Sequence, residues 1–299
     1  MSLLNKLVVA AMPLIPKAVV GRVARRYIAG TTLADGVATV RRLNTNGMMS
    51  TMDLLGEDVT DAAEANEVRE NILPILKAIH QNSLKSNVSI KPTQLGLSID
   101  RQLCYANLRT ILGEARNLEN FVRIDMEDAR TTDATLELYR KLRADGFSNT
   151  GVVIQAYLHR SESDVRALVK EGANIRLCKG IYNESPSIAF KGRQEIQRNY
   201  LKLLQIILEG GRHAAIATHD DALLDGASEL ITKLGLKPEQ YEFQMLLGVR
   251  EARRDQIVRD GHRLRVYVPY GEQWYAYSTR RLKENPSMAW YITKAIFVR

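Results

Sequence analysis

The sequence predicts an α/β protein built as a (β/α)8 barrel, and three observations support that fold class. Eight short β-rich segments recur along the 299 residues, amphipathic helical stretches separate them, and polar residues stand where the strand segments end. Eight such units occupy about 250 residues when they close into a barrel. A doubly wound open sheet is the alternative, because strand order cannot be read from one sequence.

The strand segments are short runs rich in β-branched and apolar residues. Their predicted ranges are 48–56, 88–92, 121–126, 151–158, 174–180, 214–219, 241–246 and 264–271. Apolar residues recur at helical spacing over 61–83, 99–118, 131–145, 161–171, 186–210, 221–235 and 249–260. A helix therefore separates each pair of strands, as the crossovers of a parallel sheet require.

An N-terminal helical arm is predicted over residues 1–45, with the barrel occupying 46–299. The first thirty residues contain a short apolar run, followed by two prolines and a basic cluster. We favour a docking helix that packs on the barrel or lies on a bilayer surface, with a signal peptide as the alternative. No stretch approaches the ~18 apolar residues that a spanning helix needs, which argues against an integral membrane protein.

Composition narrows the function classes. Hydrophobic residues make up 45% of the chain, enough for a large core, and the net charge of +8 favours an acidic partner. The basic residues are dispersed and aromatic residues make up only 6%, so nucleic-acid binding is not expected. Cys104 and Cys178 have no metal-ligand spacing, so no metal is expected. Two cysteines are too few for a disulfide framework, so we expect a reducing, cytoplasmic location.

Polar residues mark the predicted carboxyl ends of the strands, where barrel enzymes carry their active sites. They are Lys91, Asp125, Gln155, Arg176, Lys179, Thr218, His219 and Tyr267. Several interrupt apolar runs, and a buried charge is costly unless it is paired or bound to a ligand. Internal ion pairs, such as Lys91 with Asp125, are the structural alternative for each residue alone. Together the residues predict a site on one face of the barrel.

Two adjacent arginines, Arg280 and Arg281, follow the last strand near the start of a predicted final helix. Neighbouring guanidinium groups can clamp a planar carboxylate through bidentate hydrogen bonds. The alternative is a solvated basic face on which Glu284 pairs with either arginine.

The segment YSTRRLKEN matches the Y-x-x-R-R-x-x-E-N signature of proline dehydrogenases. The segments VSIKPTQLGL, FVRIDMED, VVIQAYL, RLCKGIYNE, IATHD and EFQMLLGV resemble family segments in the expected order. From about residue 25 onward, the chain thus resembles the monofunctional bacterial members of the proline dehydrogenase family.

The resemblance implies an FAD-dependent barrel that oxidises L-proline. Lys91, Arg280 and Arg281 would bind the proline carboxylate, which suits three cations. Residues matching the walls of the family's substrate pocket are Asp125, Leu246, Tyr267 and Tyr277. A tyrosine at the position of Tyr277 favours proline over hydroxyproline, and Glu57 would pair with the first arginine as a gate over the substrate.

The same resemblance implies a flavin site without a G-x-G-x-x-G motif. The residues that match family flavin contacts are Gln155, Arg176, Cys178, Lys179, Gly180, Thr218 and His219. Arg176 would lie near flavin N5, and Lys179 would face the pyrophosphate. Asp220 departs from the family's usual asparagine, and Asn183 from the tryptophan of long bifunctional members, so the resemblance does not fix the details of adenine-side flavin packing.

The implied reaction is hydride transfer from proline to flavin N5, giving Δ1-pyrroline-5-carboxylate, the first step of proline catabolism to glutamate. Membrane quinone is the implied electron acceptor, with peripheral association at the inner face of the cell membrane through the basic surface and the N-terminal segment. Two other classes stay open on the residues alone. One is a Schiff-base aldolase using Lys179 or Lys91, and the other is a binding module that captures an acidic amino acid or a peptide terminus.

Overall fold

A computed structural model describes residues 20–21, 24–56, 59–275 and 277–278. Within these ranges, eight parallel strands close into one barrel in sequence order, and the first strand pairs with both the second and the eighth. The predicted (β/α)8 fold class is confirmed. The doubly wound alternative is wrong, because an open sheet would leave the first and last strands unpaired with each other.

The strands lie within or close to their predicted ranges. They are β1 (Met49–Leu54), β2 (Ser86–Ile90), β3 (Val122–Ile124), β4 (Thr150–Gln155), β5 (Ile175–Cys178), β6 (Ala214–Ala217), β7 (Tyr241–Leu246) and β8 (Leu264–Tyr270).

The described ranges contain eight helices of nine residues or more. They are α1 (Leu33–Thr45), α2 (Ala62–Gln81), α3 (Arg101–Asn117), α4 (Thr132–Ala144), α5 (Ser161–Lys170), α6 (Arg193–Glu209), α7 (Asp221–Lys233) and α8 (Glu251–Arg259). Helix α6 starts later than the predicted residue 186. Ala189 instead bridges Leu158 in antiparallel fashion, and the backbone N–H of Gly192 donates to the Glu195 carboxylate at 3.1 Å where the helix begins.

The outer and inner faces of the barrel differ in polarity. Outward residues such as Val88, Val152 and Phe243 are fully buried in the apolar core of the protein. The interior of a (β/α)8 barrel is normally filled by branched aliphatic residues. Here many alternate positions are polar instead: Thr51, Asp53, Ser89, Arg123, Arg176, Glu242, Gln244 and Arg265. The Arg176 guanidinium of β5 reaches Ser89 Oγ of β2 at 3.1 Å, so these side chains meet across the interior.

The N-terminal segment packs on the carboxyl end of the barrel. The N–H of Ala29 donates to the carbonyl of Pro269 at 2.9 Å, and the N–H of Gly271 donates to the carbonyl of Gly30 at 3.0 Å. Helix α1 then contacts β1 and β8. The boundary predicted at residue 45 stays a prediction. No helix in the described ranges has the length and apolar character needed to cross a bilayer.

Candidate active site

A pocket of about 300 Å³ opens at the carboxyl ends of the strands. The predicted site residues that line it are Lys91, Asp125, Gln155, Arg176, Cys178, Lys179, Gly180, Thr218, His219, Leu246 and Tyr267. Parallel strands bring their carboxyl ends to one face, so residues distant in sequence meet there. Gln244 and Glu127 also line the pocket, and the sequence reasoning did not select them.

Strand ends account for most, but not all, of these positions. Lys91, Asp125 and Thr218 directly follow the last residues of β2, β3 and β6. Arg176 and Tyr267 lie inside β5 and β8, so their prediction as strand-end residues was wrong. They line the pocket because interior-facing residues alternate along a strand and long side chains extend toward the mouth.

Lys91 pairs with Asp53, a residue that the sequence reasoning missed. The Lys91 ammonium lies 2.8 and 2.9 Å from the two Asp53 carboxylate oxygens, and the Tyr267 hydroxyl donates to the same carboxylate. The Asp53 side chain is 1% exposed. Its position near the end of β1 is the signal that could have revealed it, by the same rule that selected Lys91.

Burial and charge act in opposite directions on Lys91. Burial alone would lower the pKa of Lys91, but the carboxylates of Asp53 and Asp125 outweigh it and hold the pKa above its usual value. Burial also raises the pKa of Tyr267 well above its usual value, and Asp53 adds to that shift. At neutral pH the pocket therefore contains a charged ammonium and a protonated phenol.

A second ion pair joins Arg176 to Asp125. Arg176 Nη1 donates to Asp125 Oδ1 at 2.7 Å, and both terminal nitrogens of Arg176 donate to Ser89 Oγ at 3.1 Å. Burial raises the pKa of Asp125, and Arg176 and Lys91 partly offset the rise. Asp125 thus pairs with Arg176 by direct contact and Lys91 with Asp53, so internal ion pairs do form here, but with other partners than the Lys91 and Asp125 given as the example of that alternative. Arg176 Nε is buried and has no hydrogen-bond partner among the described residues.

Lys179 lies in a different part of the pocket, beside Asp220. The buried Asp220 carboxylate accepts hydrogen bonds from Lys179 Nζ at 3.2 Å and Gln197 Nε2 at 3.0 Å, with Arg193 Nη2 at 3.4 Å. Burial would raise the pKa of Asp220, but these donors hold it below its usual value. Asp220 therefore stays ionised and orients a cation of the pocket rim.

Backbone geometry shapes the rim. Gly180 has φ of +103°, and a Cβ added there would overlap the Tyr157 ring, so only glycine fits. His219 Nε2 accepts the backbone N–H of Leu246 at 2.9 Å, which ties the loop after β6 to the end of β7.

Part of the predicted site lies outside the described residues, namely Glu57, Arg280 and Arg281. The gate and the arginine clamp thus stay predictions. Tyr277 is described; it is 8% exposed and belongs to an apolar cluster with Ala24 and Leu55 rather than to the lining of the pocket.

The closed barrel and the charged pocket at its carboxyl face define the class of protein: a barrel with the architecture of (β/α)8 enzymes. The sequence profile of the family described as proline dehydrogenase matches residues 36–293. The chain belongs to the proline dehydrogenase family, and the resemblance seen in its motifs is confirmed. The aldolase and binding-module alternatives find no support in this family.

Two bacterial proline dehydrogenases are similar in sequence to this chain over most of their length. Proline dehydrogenase 1 of Bacillus subtilis (strain 168) is 39% identical over 273 residues, covering 91% of this chain and 90% of the relative. The proline dehydrogenase of Deinococcus radiodurans is 34% identical over 277 residues, covering 91% and 89%. These similarities indicate a monofunctional bacterial enzyme of the family.

Solved structures show the same fold within longer chains. The crystal structure of proline utilization A (PutA) from Bdellovibrio bacteriovorus, inactivated by N-propargylglycine, superposes with a TM-score of 0.82 at 26% identity. The match covers 92% of this chain but 34% of that chain. This chain thus spans about a third of that protein's length.

Proposed function

We propose that this protein oxidises L-proline to Δ1-pyrroline-5-carboxylate by hydride transfer to N5 of bound FAD, as the first step of proline catabolism to glutamate. The observation that carries the proposal is the pocket itself, where a charged Lys91 and the buried Arg176 stand beside the apolar side chain of Leu246 in a member of this family. A cation and an apolar wall suit the two ends of proline.

The substrate carboxylate would bind Lys91, together with Arg280 and Arg281 beyond the described residues. Asp53 holds the Lys91 ammonium at one place in the pocket, so the anion-binding position exists before substrate arrives. Leu246 and Tyr267 offer apolar surface for the ring methylenes and exclude water from the reacting carbon. Tyr277 would favour proline over hydroxyproline, and Glu57 would act as the gate.

The residues present fit a flavin. Those that would hold it are Gln155, Arg176, Cys178, Lys179, Gly180, Thr218 and His219. Arg176 has a buried Nε with no partner among the described residues, and Gly180 lets the ligand approach the backbone. FAD supplies the two-electron acceptor when bound.

The pocket residues differ in what they would contribute to the reaction: Arg176 a fixed positive charge, and Lys91 and Tyr267 no base. Arg176 places a fixed positive charge in the pocket, which would stabilise negative charge that develops on the acceptor. Lys91 stays protonated, because two carboxylates raise its pKa, and Tyr267 stays protonated because it is buried. Neither residue is then available as a base at neutral pH, and the proline amine would lose its proton to solvent before the chemical step.

Membrane quinone is the proposed electron acceptor, and the proposed location is cytoplasmic with peripheral membrane association. The support is the net charge of +8, which favours an anionic bilayer surface. Absence of binding to anionic liposomes at low salt would count against the association.

The test is the anaerobic visible spectrum of the purified, FAD-loaded protein before and after L-proline is added. We expect proline to bleach the flavin band, and Arg281→Met and Lys91→Met to require far more proline, because each removes a cation from the carboxylate site. Lys233→Met, on the exposed end of α7, should behave as the parent. A flavin that proline does not bleach would reject the substrate; a protein that does not bind FAD would reject the cofactor.

A further inference from the structure

A second cavity lies at the opposite end of the barrel. It has a volume of about 690 Å³ and is lined by residues at the amino ends of the strands, including Met49, Arg123 and Arg263. The ends of α2 and α3 complete its wall. We call it the base hollow; no part of the proposed reaction uses it.

Positive charge exceeds negative charge in the base hollow. Its cationic side chains are Lys85, Arg123, Arg263 and Arg265, and its carboxylates are Glu119 and Glu242. Two positive charges therefore lack a counter-charge within the lining. His213 adds none at neutral pH, because burial lowers its pKa to about 4.

The Glu242 carboxylate in the hollow is already paired with Arg265. Both oxygens of Glu242 accept hydrogen bonds from Arg265, at 2.7 and 3.0 Å, and Arg265 Nη1 donates to the Ser50 carbonyl at 2.6 Å. Arg265 holds the pKa of Glu242 at about 2 against the opposing effect of burial. Glu242 is therefore not available to the other cations of the hollow.

Arg263 has poor partners for a guanidinium. Its Nη2 lies 3.3 Å from the sulfur of Met49, and no carboxylate among the described residues lies within ion-pair distance. A thioether is a weak acceptor. His213 Nδ1 is likewise buried without a hydrogen-bond partner in the described part of the chain. Among the described residues, the Arg263 guanidinium thus has only a weak sulfur acceptor within hydrogen-bond distance in a basic hollow.

We propose that the base hollow binds a phosphate group, free or carried on a small organic molecule, through the Arg263 guanidinium. A phosphate dianion matches the excess of two positive charges, whereas a carboxylate would balance one. The planar fork of arginine suits phosphate oxygens. Arg123 and Lys85 supply the surrounding positive field. The site is independent of the proposed oxidation of proline.

The experiment titrates inorganic phosphate into the FAD-loaded protein by calorimetry, with chloride keeping the ionic strength constant. FAD would occupy the other phosphate-binding region, which the proposed function assigns to the surroundings of Lys179. We expect one phosphate per chain, and an affinity at least about tenfold weaker in Arg263→Met, because the fork and its charge are lost together. Arg259→Met, an exposed arginine of α8 outside the hollow, is the matched control and should bind as the parent.

Three results would overturn the proposal: no saturable binding by the parent, unchanged binding by Arg263→Met, or loss of binding in Lys179→Met, which would place the phosphate at the mouth. If Arg263→Met does not fold, Arg263→Lys keeps the charge without the fork, and unchanged binding in that variant would also reject the site. Glycerol phosphate then identifies the source: tighter binding than inorganic phosphate indicates an organic ester, and weaker binding indicates the free ion.

Discussion

The two ends of the barrel interior both contain buried arginines, but they use them differently. At the mouth, Lys91 and Arg176 each contact a carboxylate, and Lys91, Arg176 and Asp125 line an open pocket. At the base, Arg265 has a bidentate partner in Glu242, while Arg123 donates only to carbonyl and amide oxygens. Burial and the neighbouring Arg176 lower the pKa of Arg123 to about 9.

The effect of losing one partner of a buried ion pair depends on the charges and the solvent around the pair. The Glu242 carboxylate lies in the wall of the base hollow with a side chain only 4% exposed, and it acts on two arginines, Arg265 and Arg123, so its removal leaves both charges without a carboxylate. Lys91 lines the pocket, where water or a substrate anion can take the place of its carboxylate partner if that partner is lost. We therefore expect base substitutions to affect stability most and mouth substitutions to affect ligand binding most.

The largest expected effect is that of Glu242→Gln. Removing the carboxylate should lower the free energy of unfolding by about 3–5 kcal/mol, because Arg265 and Arg123 would then be buried together with no carboxylate between them. Urea unfolding followed by circular dichroism measures the change. Glu119→Gln, at an exposed position of the same hollow, is the control and should change it by less than about 0.5 kcal/mol. Equal effects of the two variants would show that the position of the Glu242 carboxylate between buried arginines is not what stabilises the fold.

Acid unfolding should sharpen the same contrast. The folded-state pKa of Glu242 is about 2, below the ordinary value of 4.5. The stability that its ionised form contributes is therefore complete above pH 4.5 and is lost as the pH falls toward 2, by up to about 3 kcal/mol. Unfolding measured at pH 5 and pH 2.5 should show a smaller loss in Glu242→Gln than in the parent. The same acid loss in both proteins would show that this carboxylate does not carry the effect.

Asp53→Asn should lower stability less than Glu242→Gln does, but it should weaken the binding of proline. The variant removes the leading cause that raises the pKa of Lys91, while burial still lowers it. The proline concentration that half-bleaches the flavin should rise by roughly tenfold, about 1.4 kcal/mol, and rise further in alkaline solution. Thr51→Ala, two residues earlier on β1, removes only a 3.4 Å contact to Ser89 and is the control. An unchanged proline requirement would assign Asp53 a structural role alone.

Much of the fold could be predicted because each element has a local signal. Each predicted strand overlaps an observed one, since short β-rich runs between polar turns are independent of the rest of the chain. The start of α6 was placed too early, because the pairing of Ala189 with Leu158 depends on a strand distant in sequence. Asp53 was missed for a related reason: its importance comes from Lys91 and Tyr267, which only closure of the barrel brings to it.

By itself, the sequence determined the class of fold, the face of the barrel that carries the pocket, and the family, because hydrophobic periodicity, strand-end polarity and ordered motifs are all local properties. Only the tertiary structure decided which charges pair. Lys91 took Asp53 rather than Asp125, and Arg176 took Asp125, because partners on different strands are selected by distance across a closed barrel. The base hollow is likewise absent from any motif, since its excess of positive charge exists only where strand ends distant in sequence meet.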